Sequence, residues 1–452
     1  MNYYNNDVII AQSTPLGSSA IAVIRVSGES LNNFFSLIFK NQKIKPRYSY
    51  TVELKGFESK ELIDTCVIVY YKTPASFTGE DMLEISCHGN NIIVEKIINE
   101  FILKGARIAY PGEFSYRAFQ NNKIDLMQAE SIAEKIALNS GAYGVALQNI
   151  ENGTVSRKFN SLKNSLIKTL SIIEHELDFN EDEITHLSVA SIKNDFVNIG
   201  QELNVMLDGY SLIQKINQGY QVVIWGPPNA GKSTLFNTIL GVDKSIVTHI
   251  EGTTRDVLES KIILQNIPFT FYDTAGYRQT KDIIEGLGIK RGLDRVGGAD
   301  VVLIIDEKNP KKILKNLIKE DIIAVEQKTL CIKTKCDKLK KGVVVDNTEI
   351  QLSAKNNVGI RLLLTYLLTL VSKNVDLSTY KNIAVCNERQ RLLVKKAKEK
   401  TAVILTELNG GCSMDIVASS CRDFVEIIEE LLGQITSNDI LNNIFKGFCV
   451  GK

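Results

Sequence analysis

The stretch from Val222 to Thr234, V-V-I-W-G-P-P-N-A-G-K-S-T, limits what this chain can fold into more than any other. An apolar run ends at Gly226, and G-x-x-x-x-G-K-S closes at Ser233 before a helical segment through Leu240. Strand, glycine-rich loop and helix in that order are the context a P-loop needs. Gly226 and Gly231 permit a turn in which successive N–H groups of the loop, through Asn229 and Ala230 to Thr234, converge on phosphate oxygens at the positive end of a helix. Lys232 supplies a point charge for the β and γ phosphates, and the Ser233 hydroxyl is a hard oxygen ligand suited to Mg²⁺.

Further nucleotide signals follow in order. Asp273-Thr274-Ala275-Gly276 reads D-x-x-G at a strand end, where the Asp orders Mg²⁺ through water and the glycine N–H senses a γ-phosphate. Gly252-Thr253-Thr254-Arg255-Asp256 lies in the preceding loop, so Thr254 completes the Mg²⁺ shell only when that loop is ordered, which is the logic of a switch. Thr334-Lys335-Cys336-Asp337 resembles the N-K-x-D signature, in which the carboxylate accepts from guanine N1 and N2 hydrogens that adenine does not offer in that pattern. Here Thr stands in place of Asn, so one amide contact is lost or altered. Ser353-Ala354-Lys355 matches an S-A-K base-contact loop. Tyr277 occupies the place after D-x-x-G where many small GTPases carry Gln, so the attacking water must be oriented from elsewhere. Asp282 and Glu285 are the nearest downstream carboxylates. No arginine finger is evident; Arg255 and Arg278 read as switch salt bridges, leaving the developing negative charge to be stabilised by something else.

A chain of 452 residues implies two to four domains, and 44% hydrophobic content makes it globular. The formal charge of +1 advertises no global nucleic-acid field, so any RNA contact must be local. Eight scattered cysteines without a C-x-x-C pair, and no secretion signal, indicate reduced thiols in a cytosol. With no apolar run of membrane-spanning length, the expectation is a soluble cytoplasmic protein. Cys449-Val450-Gly451-Lys452 fails the prenylation pattern, and His88 beside Cys87 lacks a second metal-spaced pair, so it reads as a hydrogen-bonding His in a turn.

The fold class expected is multidomain: an N-terminal α+β domain, a central helical domain and an inserted α/β P-loop GTPase domain. Residues 1–120 carry β-branched runs at Ala20 to Val26, Cys66 to Tyr71 and Leu83 to Ser86 with helical patterns between. Residues 121–217 lack proline; Leu162, Leu166, Leu170, Ile173 and Leu177 form one apolar helical stripe. Residues 218–376 alternate short apolar strands with helices, giving a mainly parallel sheet with one antiparallel edge; the basic segment Lys311 to Lys319 reads as a solvated surface helix. Residues 377–452 are helical again, with breaks at Gly410-Gly411 and Thr436-Ser437. Helical sequence on both sides of the α/β region implies insertion.

These motifs, with Phe77-Thr78-Gly79-Glu80-Asp81, Pro111-Gly112-Glu113-Phe114, Lys123-Ile124-Asp125-Leu126-x-Gln128-Ala129-Glu130 and the terminal Phe448-Cys449-Val450-Gly451-Lys452, resemble the MnmE (TrmE) family of tRNA uridine-modification GTPases along the whole chain. The resemblance implies a cytoplasmic homodimer working with the flavoprotein MnmG to install a carboxymethylaminomethyl-type group on C5 of the wobble uridine of certain tRNAs. It implies a 5-formyl- or methylene-tetrahydrofolate held by Arg25, Glu80, Lys123 and Lys452. It also implies K⁺ in place of an arginine finger, with Asn229, Thr248, Ile250 and Thr253 as ligands in a nucleotide-binding loop that includes His249, Glu251 and Gly252. Glu285 matches the family's water-positioning glutamate, and Cys449 its C-terminal cysteine, for which a catalytic thiol and a structural role are both open. Two alternatives from other classes are a GTP-dependent ribosome-assembly switch without one-carbon chemistry, opposed by the lack of an appended RNA-binding module, and an ATP-dependent enzyme, opposed by Asp337.

Overall fold

Alternating strand residues build the N-terminal sheet. In the computed structural model, which describes residues 7–39, 43–138, 140–178, 189–242, 258–265, 267–273, 295–338, 345–346, 349–372 and 384–451, the strands are β1 (Ile9–Gln12), β2 (Ser19–Gly28), β3 (Ser49–Lys55), β4 (Leu62–Tyr71), β5 (Asp81–Gly89) and β6 (Arg107–Ile108). Their order is β3-β4-β5-β2-β1-β6, antiparallel except for β1 against β6. Ile24, Val26, Cys66, Ile68, Leu83 and Ile85 point to one face, where helices α1 (Asn32–Phe39) and α2 (Asn91–Leu103) cover them with Phe34, Ile38, Ile97 and Phe101. His88 lies within β5 rather than in a turn. Its Nδ1 is 2.8 Å from Asp64 Oδ1, and no metal-holding group occurs among the described residues.

Helical texture begins earlier than residue 121, with α3 (Glu113–Gln120), and continues through α4 (Leu126–Ile136), α5 (Gly141–Glu151), α6 (Thr154–Asp178) and α7 (Val189–Gln218). Asp125 starts α4 with a capping box. Its side chain accepts from Gln128 N at 2.9 Å, and Gln128 Oε1 accepts from Asp125 N at 2.9 Å. In the α6 stripe Leu166 and Ile173 are buried, while Leu162 and Leu170 are half-buried.

The α/β region starts with β7 (Tyr220–Trp225) and α8 (Lys232–Val242), then β8 (Leu258–Leu264), β9 (Ile267–Asp273), β10 (Val301–Asp306), α9 (Pro310–Lys319), β11 (Lys328–Lys333), β12 (Val345–Asp346), β13 (Glu349–Gln351) and α10 (Ile360–Ser372). Sheet order is β12-β13-β11-β10-β7-β9-β8. Five central strands are parallel, and the expectation of a single antiparallel edge is corrected: β8 pairs antiparallel with β9 at one edge, and the two-residue β12 does so with β13 at the other. Both faces are covered, which is why the strands read as continuous apolar runs. Val222, Ile224, Leu303 and Ile305 pack on one side, Val223, Val302 and Ile304 on the other, where Leu317 of the basic helix α9 is buried.

After this region come α11 (Glu388–Asn409), α12 (Met414–Leu432) and α13 (Asn438–Lys446), separated at Gly410-Gly411 and before Ser437. Val417, Cys421, Phe424, Ile428 and Leu431 are buried at i, i+4, i+7, i+11 and i+14, so α12 presents one stripe, and it packs against both α11 and α6. The chain divides into two compact units. One comprises residues 1–137, 147–207 and 385–452; the other comprises 138–146 and 208–384. Among the described residues no helix is long and apolar enough to cross a membrane.

An ion pair with a buried carboxylate and a half-buried guanidinium joins segments that precede and follow the α/β region. Arg389 grips Glu130 through Nε to Oε1 at 2.6 Å and Nη2 to Oε2 at 2.9 Å. It also donates to the carbonyls of Glu430 (3.1 Å) and Leu431 (3.2 Å) at the end of α12. Gln390 Nε2 adds a 2.6 Å bond to Glu130 Oε2. Removing one partner leaves a buried charge unpaired. Arg389→Ala should therefore destabilise the helical unit by about 3–5 kcal/mol, seen as a lowered urea midpoint and faster amide exchange in residues 126–136 and 414–432.

Candidate nucleotide site and N-terminal polar cluster

In a parallel sheet the loops after the strands' carboxyl ends form the binding edge. Here those ends are Trp225 of β7, Asp273 of β9, Asp306 of β10 and Lys333 of β11. Ile224 is level with Asp273, and Trp225 with Ile304. Gly226 leaves β7 so close to β10 that a Cβ there would lie 2.2 Å from the Ile305 carbonyl oxygen. Any other residue would push the loop off the sheet. The loop then passes through Asn229 at φ 59° and Gly231 at φ 94° before α8 begins at Lys232. Left-handed backbone at Asn229 is strain of the kind held at binding sites.

Lys232 is buried, and its Nζ donates to the carbonyls of Gly226 (2.9 Å) and Pro227 (2.8 Å). The ammonium thus sits inside the loop, at the focus of the same backbone turn that would cradle a phosphate. Ser233 and Thr234, in the first turn of α8, are exposed. Thr238 ties this helix to the S-A-K loop by donating to Ala354 O at 3.1 Å.

The T-K-C-D and S-A-K segments meet at the ends of β11 and β13. Ser353, buried, donates to Asp337 Oδ1 at 2.7 Å, fixing the exposed carboxylate, and Cys336 N donates to Leu352 O at 3.2 Å. Lys335 adopts φ 60° and pairs with Glu307 Oε2 at 2.9 Å; Lys355 is exposed. Thr334 is buried and donates to Ala230 O in the P-loop at 2.7 Å, a link between the two motifs that sequence reading missed. The structure therefore brings together Gly226, Asn229, Ala230, Gly231, Lys232, Ser233, Thr234, Asp273, Thr334, Lys335, Asp337, Ser353, Ala354 and Lys355 at one sheet edge. Thr248, His249, Ile250, Glu251, Gly252, Thr253, Thr254, Thr274, Ala275, Gly276 and Glu285 lie outside the described residues.

In the other unit, Arg25, Glu80 and Lys123 gather around the loop 73–81. Arg25 pairs with Glu84 (2.8 Å), its guanidinium lies 5.7 Å from the Phe77 ring centroid, and its Nη1 reaches Gly451 O at 3.5 Å. Glu80 accepts from Ser27 Oγ at 2.8 Å and from Arg117 Nη1 at 3.1 Å. Lys123 donates to Pro74 O at 2.8 Å with its stem beside Gly79. The tail reaches the same cluster: Ser13 Oγ donates to Gly451 O at 3.0 Å, and Gly112 N to Cys449 O at 3.3 Å. Cys449 is exposed, and Lys452 lies outside the described residues.

Sequence reading also missed the support beneath Glu80. Arg117, 5% exposed, bonds Glu80, Glu113 (3.0 Å) and Asp7 (3.2 Å), while Arg107 bonds Asp7 (2.6 Å) and Glu113. Glu113 and Arg117 are four apart on one helix face, the one local hint of this network. Burial alone would raise the Asp7 carboxyl, but Arg107 and Arg117 hold it below the usual aspartate range.

The family profile described as the GTP-binding protein TrmE N-terminus matches residues 8–123, and that of the MnmE helical domain matches residues 126–449. The tRNA modification GTPase MnmE of Cytophaga hutchinsonii is 34% identical, with 99% of this chain and 98% of that protein covered. The protein of the same name from Aquifex aeolicus is 35% identical, with 98% and 99% covered. That from Fervidobacterium nodosum is 36% identical, with 99% and 98% covered.

Two outcomes test this geometry. Ser353→Ala, which frees the Asp337 carboxylate, should weaken guanine-nucleotide binding by about tenfold and leave triphosphate binding through the P-loop intact, as read by calorimetry with GTP and ATP. Asp7 has a depressed folded pKa, so its contribution is present above its unfolded pKa and is lost as pH falls through the folded value. The thermal midpoint should drop on acidification below the ordinary aspartate range of about 3.9, with a shallower drop in Asp7→Asn.

Proposed function

The chain belongs to the MnmE family of tRNA modification GTPases and is a GTP hydrolase; on that premise we propose that it is a K⁺-stimulated, dimerising GTPase that acts in the cytoplasm with MnmG. Its product is the carboxymethylaminomethyl-type group on C5 of the wobble uridine of certain tRNAs. Within this proposal residues 1–120 bind tetrahydrofolate and dimerise, 121–217 and 377–452 form the helical domain, and 218–376 are the G domain. The observation that carries the reading is a P-loop whose buried lysine faces its own carbonyls, next to a carboxylate fixed by Ser353 for guanine.

GTP and Mg²⁺ are the ligands of this edge. Lys232 exchanges the Gly226 and Pro227 carbonyls for phosphate oxygens, so binding needs no long movement of the charge. The N–H groups from Asn229 to Thr234 orient the phosphates, and Asp337 accepts from guanine N1 and N2. Glu285 orients the attacking water. The chemistry of the donor set fits the two cations: Ser233 offers an exposed hydroxyl and Asn229 an exposed amide in left-handed backbone, with Thr254 joining Ser233 for Mg²⁺ and Thr248, Ile250 and Thr253 joining Asn229 for K⁺. When bound, Mg²⁺ and K⁺ neutralise negative charge on the phosphates.

The N-terminal cluster fits a folate in kind. Arg25 and Lys123 suit its carboxylates, with Lys452 joining them. Glu80 retains acceptor capacity for pterin N–H groups, because its oxygens take bonds from Arg117 and Ser27 while a carboxylate has about four lone-pair sites. When bound, the folate supplies the one-carbon unit. Arg117 holds the Glu80 carboxylate in place for it, and the tail residues Cys449 to Gly451 close the neighbourhood of Arg25.

GTP turnover should be many-fold faster in potassium than in sodium buffer, and equal rates would remove the cation mechanism. Asp337→Asn should move preference from GTP to XTP, since the amide can donate to the xanthine C2 carbonyl; competition binding reads this directly. Deleting the gene should abolish wobble-uridine modification, whereas tRNA with its modification unchanged would favour an assembly factor.

A further inference from the structure

Thr334 decides how much of the purine this site can read. It stands at the end of β11, where a GTPase signature carries Asn, and it is 4% exposed. Its Oγ1 donates to the Ala230 carbonyl at 2.7 Å, and its backbone N donates to Asp306 O at 3.0 Å. A threonine hydroxyl has a single proton, and here that proton is committed to the P-loop. What remains on Oγ1 is lone pairs.

Guanine presents N7 and O6 on one edge, both acceptors, and the N1 and N2 hydrogens elsewhere on the ring. Asp337, fixed by Ser353, takes the N1/N2 hydrogens. A base held by Asp337 with its phosphates in the P-loop would turn its imidazole side toward the stretch between the two, where Thr334 bonds Ala230 O. An asparagine there has two amide hydrogens, one for the P-loop and one for N7. Threonine facing N7 sets acceptor against acceptor, and no bond forms.

We propose that Thr334 is a positioning residue that fastens the P-loop to the base-reading strand, and that this enzyme binds guanine triphosphates lacking the N7 acceptor as readily as GTP. The inference rests on the guanine reading of Asp337 given above and adds which purine edge goes unread. The substrate class widens accordingly to guanine nucleotides altered at N7.

The test uses the full-length protein, with dissociation constants for GTP and 7-deaza-GTP measured by calorimetry and KM and kcat for both. In the unaltered chain the two dissociation constants should agree within about threefold, and Thr334→Asn should favour GTP over 7-deaza-GTP by about tenfold, one neutral hydrogen bond. Thr334→Val, which leaves the Ala230 carbonyl without its donor, should raise KM for both nucleotides alike, with Thr334→Ser restoring it. A tenfold preference for GTP in the unaltered chain, a Thr334→Val loss confined to GTP, or no preference in Thr334→Asn would each overturn the proposal. Failure of the unaltered chain to bind either nucleotide would instead overturn the guanine reading itself, and this proposal with it.

Discussion

The helical unit depends on a charge pair that can form only if the chain leaves and returns. Glu130 sits in α4, and Arg389 in the first turn of α11, on opposite sides of the whole α/β region. Taking both charges out of water is costly, and their attraction offsets that cost only when every remaining lone pair and proton is matched. Two Arg–Glu bonds, two bonds to the carbonyls ending α12 and one from Gln390 go most of the way, engaging four of the guanidinium's five N–H groups and both carboxylate oxygens. The arginine also lies where a helix macrodipole favours a cation. Apolar burial along α12 gives this unit its bulk stability, and the ion pair specifies where α11 begins relative to α4.

The nucleotide edge shows the same division between bulk packing and single polar contacts. Apolar strands place four carboxyl ends side by side, but the functional groups are set by short bonds across sequence: Thr334 to Ala230, Ser353 to Asp337, Thr238 to Ala354. Two of the non-glycine residues in left-handed backbone, Asn229 and Lys335, lie in the P-loop and in the T-K-C-D segment respectively. Lys232 is held by the carbonyls of Gly226 and Pro227, which keeps its ammonium aimed into the loop.

Much of this was legible beforehand because its signals are local. The P-loop, the T-K-C-D run and S-A-K are contiguous, and the strand Tyr220–Trp225 is a plain apolar run between a glycine and a glycine-rich loop. In the N-terminal sheet β1 and β3 were not visible: β1 has four residues, and β3, S-Y-T-V-E-L-K, alternates polar and apolar without a flanking motif. The bounds of β13, Glu349–Gln351, follow from its ladder pairing with β11 rather than from any local pattern. Thr334 looked like a weakened base contact, because its partner is 104 residues away. The carboxylate Glu80 was found by motif, while Arg117 and Asp7, which hold it, are joined to it only by folding.

Gly451 runs so close to β1 that a Cβ there would lie 2.4 Å from the Gln12 carbonyl oxygen, at φ 89°. Residues made first are therefore finished by residues made hundreds of codons later. Since synthesis proceeds from the N-terminus at about 5–20 residues per second, the sheet of β1 to β6 can collapse early on the ribosome, yet the Arg25 neighbourhood stays open until the tail emerges. The contacts of Gly451 with Ser13 and Arg25 are thus among the last this sheet acquires, made only once residue 451 has been added.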